Sequence, residues 1–213
     1  SDVIFGNQGE DDLIGGSSSL FGLATKALRP DGSDYVFGGS GTAVSLDNPG
    51  GPNGGDSDAI LGDNGNVYRV VTAGGAYVQF VYDTYAGRKI VVRALALLDY
   101  TPGGPDYTSS TDPVRAKAAD GTLDIGAADE IHGENGDDFV YGQVGNDRIF
   151  GDGQNDTIVG GYGADWISGG TGDDGILGDD GRLSVSRISS SYGEPLYGIA
   201  ATAASDLDRE ISV

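Results

Sequence analysis

The sequence predicts an all-β fold of short strands stacked in coils, interrupted by β-rich hairpin insertions. Three observations carry this expectation. From Gly133 to Leu177 the chain repeats every nine residues, five times in succession, as G-x-x-x-x-D-x-[IV]-x, with copies starting at Gly133, Gly142, Gly151, Gly160 and Gly169. Counted from that glycine, Asp129, Asp138, Asp147, Asp156, Asp165 and Asp174 share position six, and Ile131, Val140, Ile149, Ile158, Ile167 and Ile176 share position eight. Elsewhere, runs rich in Val, Ile, Tyr and Leu are set between Gly-, Pro- and Asn-rich stretches, which reads as strand and turn.

Composition narrows the function. Of 213 residues 39 are Gly, none is Cys or Met, and acid exceeds base 33 to 12, for a formal charge of -21. Low hydrophobicity with high net charge opposes compaction. A disordered acidic tail, however, would not keep a nine-residue register, so cations are expected to neutralise the stacked carboxylates. The negative charge excludes nucleic acid as a partner. No apolar run reaches the 18 or so residues of a membrane helix. The absence of cysteine fits a secreted bacterial-type chain. Ser1-Asp2-Val3-Ile4-Phe5 reads as the tail of a nonapeptide cut in mid-repeat, so a piece of a longer protein is expected.

In chain order the elements are as follows. Residues 1–65 form an interrupted repeat segment. Asp2 to Phe5 ends one copy, Gly6 to Ile14 is complete, and an insertion from about Ser17 to Gly32 precedes Asp34-Tyr35-Val36-Phe37. A further stretch leads to Asp58-Ala59-Ile60-Leu61-Gly62-Asp63. Residues 66–120 form a β-rich insert, in which Tyr77 to Tyr85 and Lys89 to Leu98, separated by Ala86-Gly87-Arg88, predict a hairpin. Residues 121–182 are the regular repeats, and 183–213 a β-rich exit segment with strands at Leu183 to Ile188 and Tyr197 to Ala201. Helix is confined to one candidate near Leu20 to Ala27.

Within one copy, glycine permits positive φ and a tight turn whose carbonyls can face a common centre. The Asp adds a carboxylate, and x-[IV]-x is a short strand with one side chain inward. Two copies make a coil, so turns 18 residues apart stack and enclose an all-oxygen site. Hard oxygen donors in flexible loops select calcium over magnesium or zinc.

The run resembles the hemolysin-type RTX nonapeptide, G-G-x-G-x-D-x-U-x. The copies at Gly160 and Gly169 match it at every defined position. The resemblance covers roughly half the chain and implies a parallel β-roll binding several Ca²⁺ ions. In that family one turn gives carbonyls of its second and fourth residues plus its Asp, and the turn two copies later gives carbonyls of its first and third plus its own Asp. Carried over, one site comprises Glu134, Gly136, Asp138, Gly151, Gly153 and Asp156. The next comprises Gln143, Gly145, Asp147, Gly160, Tyr162 and Asp165, and a third Asp152, Gln154, Asp156, Gly169, Thr171 and Asp174. Gln154 stands where glycine is usual, and Leu183 where an Asp belongs, so the site beyond Asp165 is expected to be weak or completed by Asp179 or Asp180. The turn before Asp129 lacks the glycines. In the first region Asn7, Gly9, Asp11, Asp34, Asp58 and Asp63 are candidates whose pairing the insertions leave open.

The bland readings complete the picture. His132, the lone histidine, sits at outward position nine and reads as a surface residue, and Trp166 is expected to pack on the β-rich insert. No triad, H-E-x-x-H or G-x-S-x-G word points to an enzyme. The ninth-position row Phe5, Ile14, Phe37, Leu61, Tyr141, Phe150, Val159 and Leu177 faces outward yet is apolar. Such a patch is rarely bare. The β-rich segments are its expected cover, and a homo-oligomer or filament neighbour the alternative. The sequence therefore predicts a secreted, cell-surface or extracellular calcium-binding module that rigidifies on binding, in an adhesin, surface-layer or filament protein. A type I secretion and folding domain of an RTX toxin or enzyme, or a glycan-binding module, remain the alternatives.

Overall fold

The computed structural model describes residues 1–42, 56–80, 90–101, 124–181 and 183. Fourteen short strands dominate the described residues, and the two repeat regions build one roll. One five-stranded parallel sheet runs β1 (Val3–Phe5), β3 (Tyr35–Phe37), β9 (Glu130–His132), β11 (Arg148–Phe150), β13 (Trp166–Ser168). The facing sheet runs β2 (Asp12–Ile14), β4 (Ala59–Leu61), β10 (Phe139–Val144), β12 (Thr157–Tyr162), β14 (Gly175–Leu177). Successive copies alternate between the sheets, so each coil carries one strand of each.

Register follows position eight throughout. Ile4 pairs with Val36, Val36 with Ile131 and Ile131 with Ile149, while Leu13, Ile60, Val140 and Ile158 align in the other sheet. Side chains alternate along a strand, so the middle residue of each triplet points between the sheets. There Leu13, Val36, Ile60, Ile131, Val140, Ile149 and Ile158 form a buried column, extended by Ile4 and Ile167. Each buried Ile or Val contributes about 1.5–3 kcal/mol, which makes this column the core of the roll.

All insertions leave the roll at turns: between β2 and β3, between β3 and β4, and between β4 and β9. The third holds an antiparallel meander. β5 (Gly65–Arg69) pairs with β8 (Arg93–Leu97), and β6 (Gln79–Phe80) with β7 (Ile90–Val91). Three backbone bonds tie its strands together: Val70 to Val92, Val92 to Val78 and Val78 to Val70, each N–H to carbonyl. The pairing of β6 with β7 falls within the expected hairpin, whose tip, 81–89, lies outside the described residues. Its longer arm, however, pairs with β5, whose Gly65-Asn66 start reads as turn rather than strand. Instead of an α-helix near Leu20 to Ala27 there is one turn of 3-10 helix at Lys26–Leu28. The strands expected beyond Leu183 lie outside the described residues.

The outward ninth-position row splits between two faces. Ile14, Leu61, Tyr141, Val159 and Leu177 fall on the β2–β4–β10–β12–β14 sheet, where Val67, Leu95, Leu97 and Tyr100 of the third insert cover them. This is the expected cover. Phe5, Phe37 and Phe150 fall on the opposite sheet and stack with His132 in a ladder, with ring centroids 5.0 Å apart for Phe5–Phe37 and Phe37–His132 and 4.4 Å for His132–Phe150. Trp166 tilts against Phe150 at 5.0 Å and is 54% exposed. Its expected packing on the insert is thus corrected: the copy carrying it alternates onto the sheet opposite the one that the described insert residues cover.

Candidate metal centres

The turns joining the two sheets lie on two flanks of the roll, and each flank carries one row of position-six aspartates. Along each row the Oδ1 of one Asp accepts the backbone N–H of the Asp one coil earlier. On one flank Asp11 N–H donates to Asp58 at 2.7 Å, Asp58 to Asp138 at 2.8 Å, Asp138 to Asp156 at 3.0 Å and Asp156 to Asp174 at 3.0 Å. On the other, Asp2 donates to Asp34 at 2.5 Å, Asp34 to Asp129 at 2.8 Å, Asp129 to Asp147 at 2.8 Å and Asp147 to Asp165 at 2.9 Å. These bonds supply the pairing that the insertions hide in the sequence.

A second row, not foreseen, runs the other way at position five. Asn155 N–H donates to Asp137 Oδ1 at 2.9 Å, Asp173 N–H to Asn155 at 2.8 Å and Ala164 N–H to Asn146 at 2.9 Å. The recurrence of Asp or Asn before the position-six Asp is the signal that could have shown it.

The second carboxylate oxygen has a different fate. Oδ2 of Asp11, Asp129, Asp138, Asp147, Asp156 and Asp165 is buried and accepts no hydrogen bond. Unsatisfied buried oxygen is costly, and here the same cost recurs at each turn. Each such oxygen faces the carbonyl of a position-one glycine one coil on. A Cβ added at Gly142 would lie 2.5 Å from both Asp147 Oδ2 and Gly160 O, and one at Gly133 2.5 Å from Asp138 Oδ2 and 2.9 Å from Gly151 O. At Gly62 the corresponding distances are 2.6 Å to Asp129 Oδ2 and 2.5 Å to Gly142 O. The space is kept by glycine and lined by oxygen, so the donors present fit a hard cation. Among the described residues no group of three or more His, Cys, Asp or Glu side chains converges for a metal; each turn provides carboxylates in pairs, and carbonyls must complete the shell.

The carbonyls expected at positions two to four also face neighbouring turns. Those of Gln143, Gly145, Asp152 and Gln154 point at Gly161, Gly163, Gly170 and Gly172, where a side chain would collide with them. Glu134 O accepts Gly153 N–H at 2.8 Å and Asp152 O accepts Thr171 N–H at 2.9 Å. Gly153 O accepts Gly136 N–H and Tyr162 O accepts Gly145 N–H. A carbonyl has two lone pairs, so such a bond leaves one for a cation. Gly169 O faces Asp156 Oδ2 across Gly151. In the first coil Asn7 N–H bonds Gly39 O, and Gly9 N–H bonds Asp56.

Two candidates stand apart. Asp180 accepts the hydroxyls of Tyr100 at 2.5 Å and Tyr141 at 2.8 Å on the covered face. Of the two expected completions, Asp179 is the one whose charge acts on Asp165, adding to the effect of burial in raising that carboxyl. Asp63, fully buried, accepts N–H groups from Ala127 and Val144 with its two oxygens.

Electrostatics agree with geometry. Burial above all, aided by neighbouring carboxylates, pushes Asp129 up to about 9, Asp58, Asp147 and Asp156 to about 8, and Asp165 to about 6. Asp138 is raised well above the carboxylate range for the same reasons, with Asp58 and Asp156 its main neighbours. Carboxylates held this way either take up protons or share cations.

The family model described as the RTX calcium-binding nonapeptide repeat (4 copies) matches residues 1–19, 126–158 and 150–182. The matched turns are RTX repeats. The matched segments hold eight of the ten aspartates of the two rows, Asp34 and Asp58 lying outside them, and these calcium-binding repeats build an all-β parallel roll. No curated protein and no solved structure matches the chain.

Proposed function

We propose that the chain is an extracellular structural segment that folds and stiffens when calcium fills its turns, within an adhesin, surface-layer or filament protein. Its act is binding rather than catalysis. The observation that carries this reading is the row of buried Oδ2 atoms facing glycine carbonyls. Extracellular modules bind calcium with Kd on the order of 10⁻⁴ to 10⁻³ M. At ~1 mM calcium and a Kd of ~0.1 mM each site adds about 1.4 kcal/mol. A few such sites rival the whole stability of an ordinary domain, about 5–15 kcal/mol. At cytosolic calcium that contribution vanishes, which keeps the chain open before export. Among the described residues no helix is long and apolar enough to cross a membrane.

Calcium titration by calorimetry, with far-UV circular dichroism on the same sample, tests the reading. Several ions binding as β-structure appears is the expected result. A chain equally folded in chelator would sink it.

A further inference from the structure

The first insert runs from Ile14 of β2 to Tyr35 of β3, and both of its feet are fixed to the third insert. Ser17 N–H donates to Asn64 Oδ1 at 2.6 Å and Ser19 N–H to Asn66 Oδ1 at 3.2 Å. At the far foot the buried Arg29 donates Nε and Nη2 to the two oxygens of Asp99, each at 2.7 Å, and Nη1 to Leu23 O. Lys26 Nζ adds a bond to Asp124 at 3.3 Å. The loop between these feet is therefore held out from the body of the molecule at a fixed place.

What it holds out is apolar. Leu20 is 60% exposed and Leu28, at the end of the 3-10 turn, 51%. Phe21 is 102% exposed, so its ring is as open to water as in an unfolded chain. Leu20 O accepts Leu23 N–H at 3.2 Å, closing a turn whose central residues, Phe21 and Gly22, sit at φ 55° and 90°. Two positive φ values favour Gly, Asn or Asp at both places. Phenylalanine there is strained and gains no packing within the fold. Strain of this kind, with no structural return, points to a contact outside the chain.

Size and charge select the partner. A stable protein interface buries about 800 Å² on each side, and three side chains on one loop are too few for that. A lipid surface makes no such demand, since binding there scales with whatever apolar area enters the headgroup–acyl boundary. No acidic residue lies between Asp12 and Asp31, so the tip brings no carboxylate into that boundary. The formal charge of -21 on the whole chain disfavours an anionic surface and leaves a zwitterionic one.

We propose that the first insert is a lipid-anchoring loop, whose Leu20 and Phe21 enter the surface of a zwitterionic membrane while the roll stays in water. This adds a docking surface to the calcium-stiffened segment and places it away from the carboxylate rows.

The test is flotation of the full chain with phosphatidylcholine vesicles in saturating calcium, comparing wild type, Phe21→Ser and Tyr77→Ser. Tyr77, 53% exposed on the third insert, controls for the loss of any exposed aromatic ring, and circular dichroism reports that each variant has folded. Expected is flotation of wild type and Tyr77→Ser, with binding weakened about tenfold or more in Phe21→Ser. A Phe21→Trp variant should show blue-shifted emission on adding vesicles, over the signal that Trp166 gives in wild type. Failure of wild type to float, or equal flotation of Phe21→Ser, overturns the lipid contact. So does a lipid-free dimer in sedimentation that Phe21→Ser abolishes, which would make a second copy the occupant of the tip.

Discussion

At position one, glycine is required for space rather than for backbone freedom. A methyl group at Gly142 would occupy the point where Asp147 Oδ2 and Gly160 O converge, 2.5 Å from each. Gly142→Ala is therefore expected to remove one bound calcium without removing any charge, lowering the calcium-loaded melting temperature while the other sites remain. Calorimetric stoichiometry decides it: an unchanged ion count would mean that the cation does not sit there. Position four adds a backbone requirement to the same lack of space. Gln154 adopts φ 81° where other copies place Gly136, Gly163 and Gly172 at φ 146°, 156° and 139°. A left-handed conformation costs a non-glycine residue about 1–2 kcal/mol, so the third copy adds at position four a strain of the kind that Glu134, Gln143 and Asp152 carry at position two, at φ 72°, 77° and 70°. This strain was legible in the sequence, because Gln154 breaks a pattern that four other copies define.

At the scale of elements, stability resides in the inward column. Ile149 is fully buried between Ile131 and Ile167 in its sheet. Ile149→Ala should cost about 2–5 kcal/mol, read as a raised calcium midpoint for folding and a lower melting temperature. A loss under 1 kcal/mol would show that the column is loosely packed. These triplets could be read from sequence because a strict period repeats the same burial at each copy. The meander could not be read so well. Its strands share no period, and β5 begins with Gly65 and Asn66, residues that favour turns. Nor did sequence show that Asp34 bonds across 95 residues to Asp129. Loop length enters the closure cost only logarithmically, so a long insertion does little to prevent two coils from stacking. Arg69 and Arg93 then clasp Glu10 and Asp12 of the first coil, with Arg69 Nε 2.6 Å and Arg93 Nε 2.9 Å from Asp12.

For the whole molecule, the carboxylate rows link folding to pH with opposite sign in the presence and absence of calcium. In chelator, the folded chain holds carboxyls raised to between about 6 and 9, whereas unfolded Asp titrates near 3.9. The folded state then binds more protons than the unfolded one. Its protonation-linked stability is complete below pH ~4 and disappears as pH rises through those folded values. Circular dichroism in chelator should accordingly show more β-structure at pH 5.5 than at pH 9. With calcium saturating, protons compete for the same oxygens, and stability should rise over that range instead. A chelated chain whose β-signal is independent of pH would contradict the raised carboxyls.

Coil order along the axis follows chain order, from β1 and β2 at one end to β13 and β14 at the other. Neighbouring strands lie ~4.8 Å apart, so the first and last of the five coils are only about 19 Å apart. A pull applied to the two ends of the roll would meet its strand ladders one rung at a time, peeling coils rather than shearing a whole sheet at once. Under such tension the inserts that clasp distant coils, and any ion lodged between turns, would decide where the thread begins to pay out.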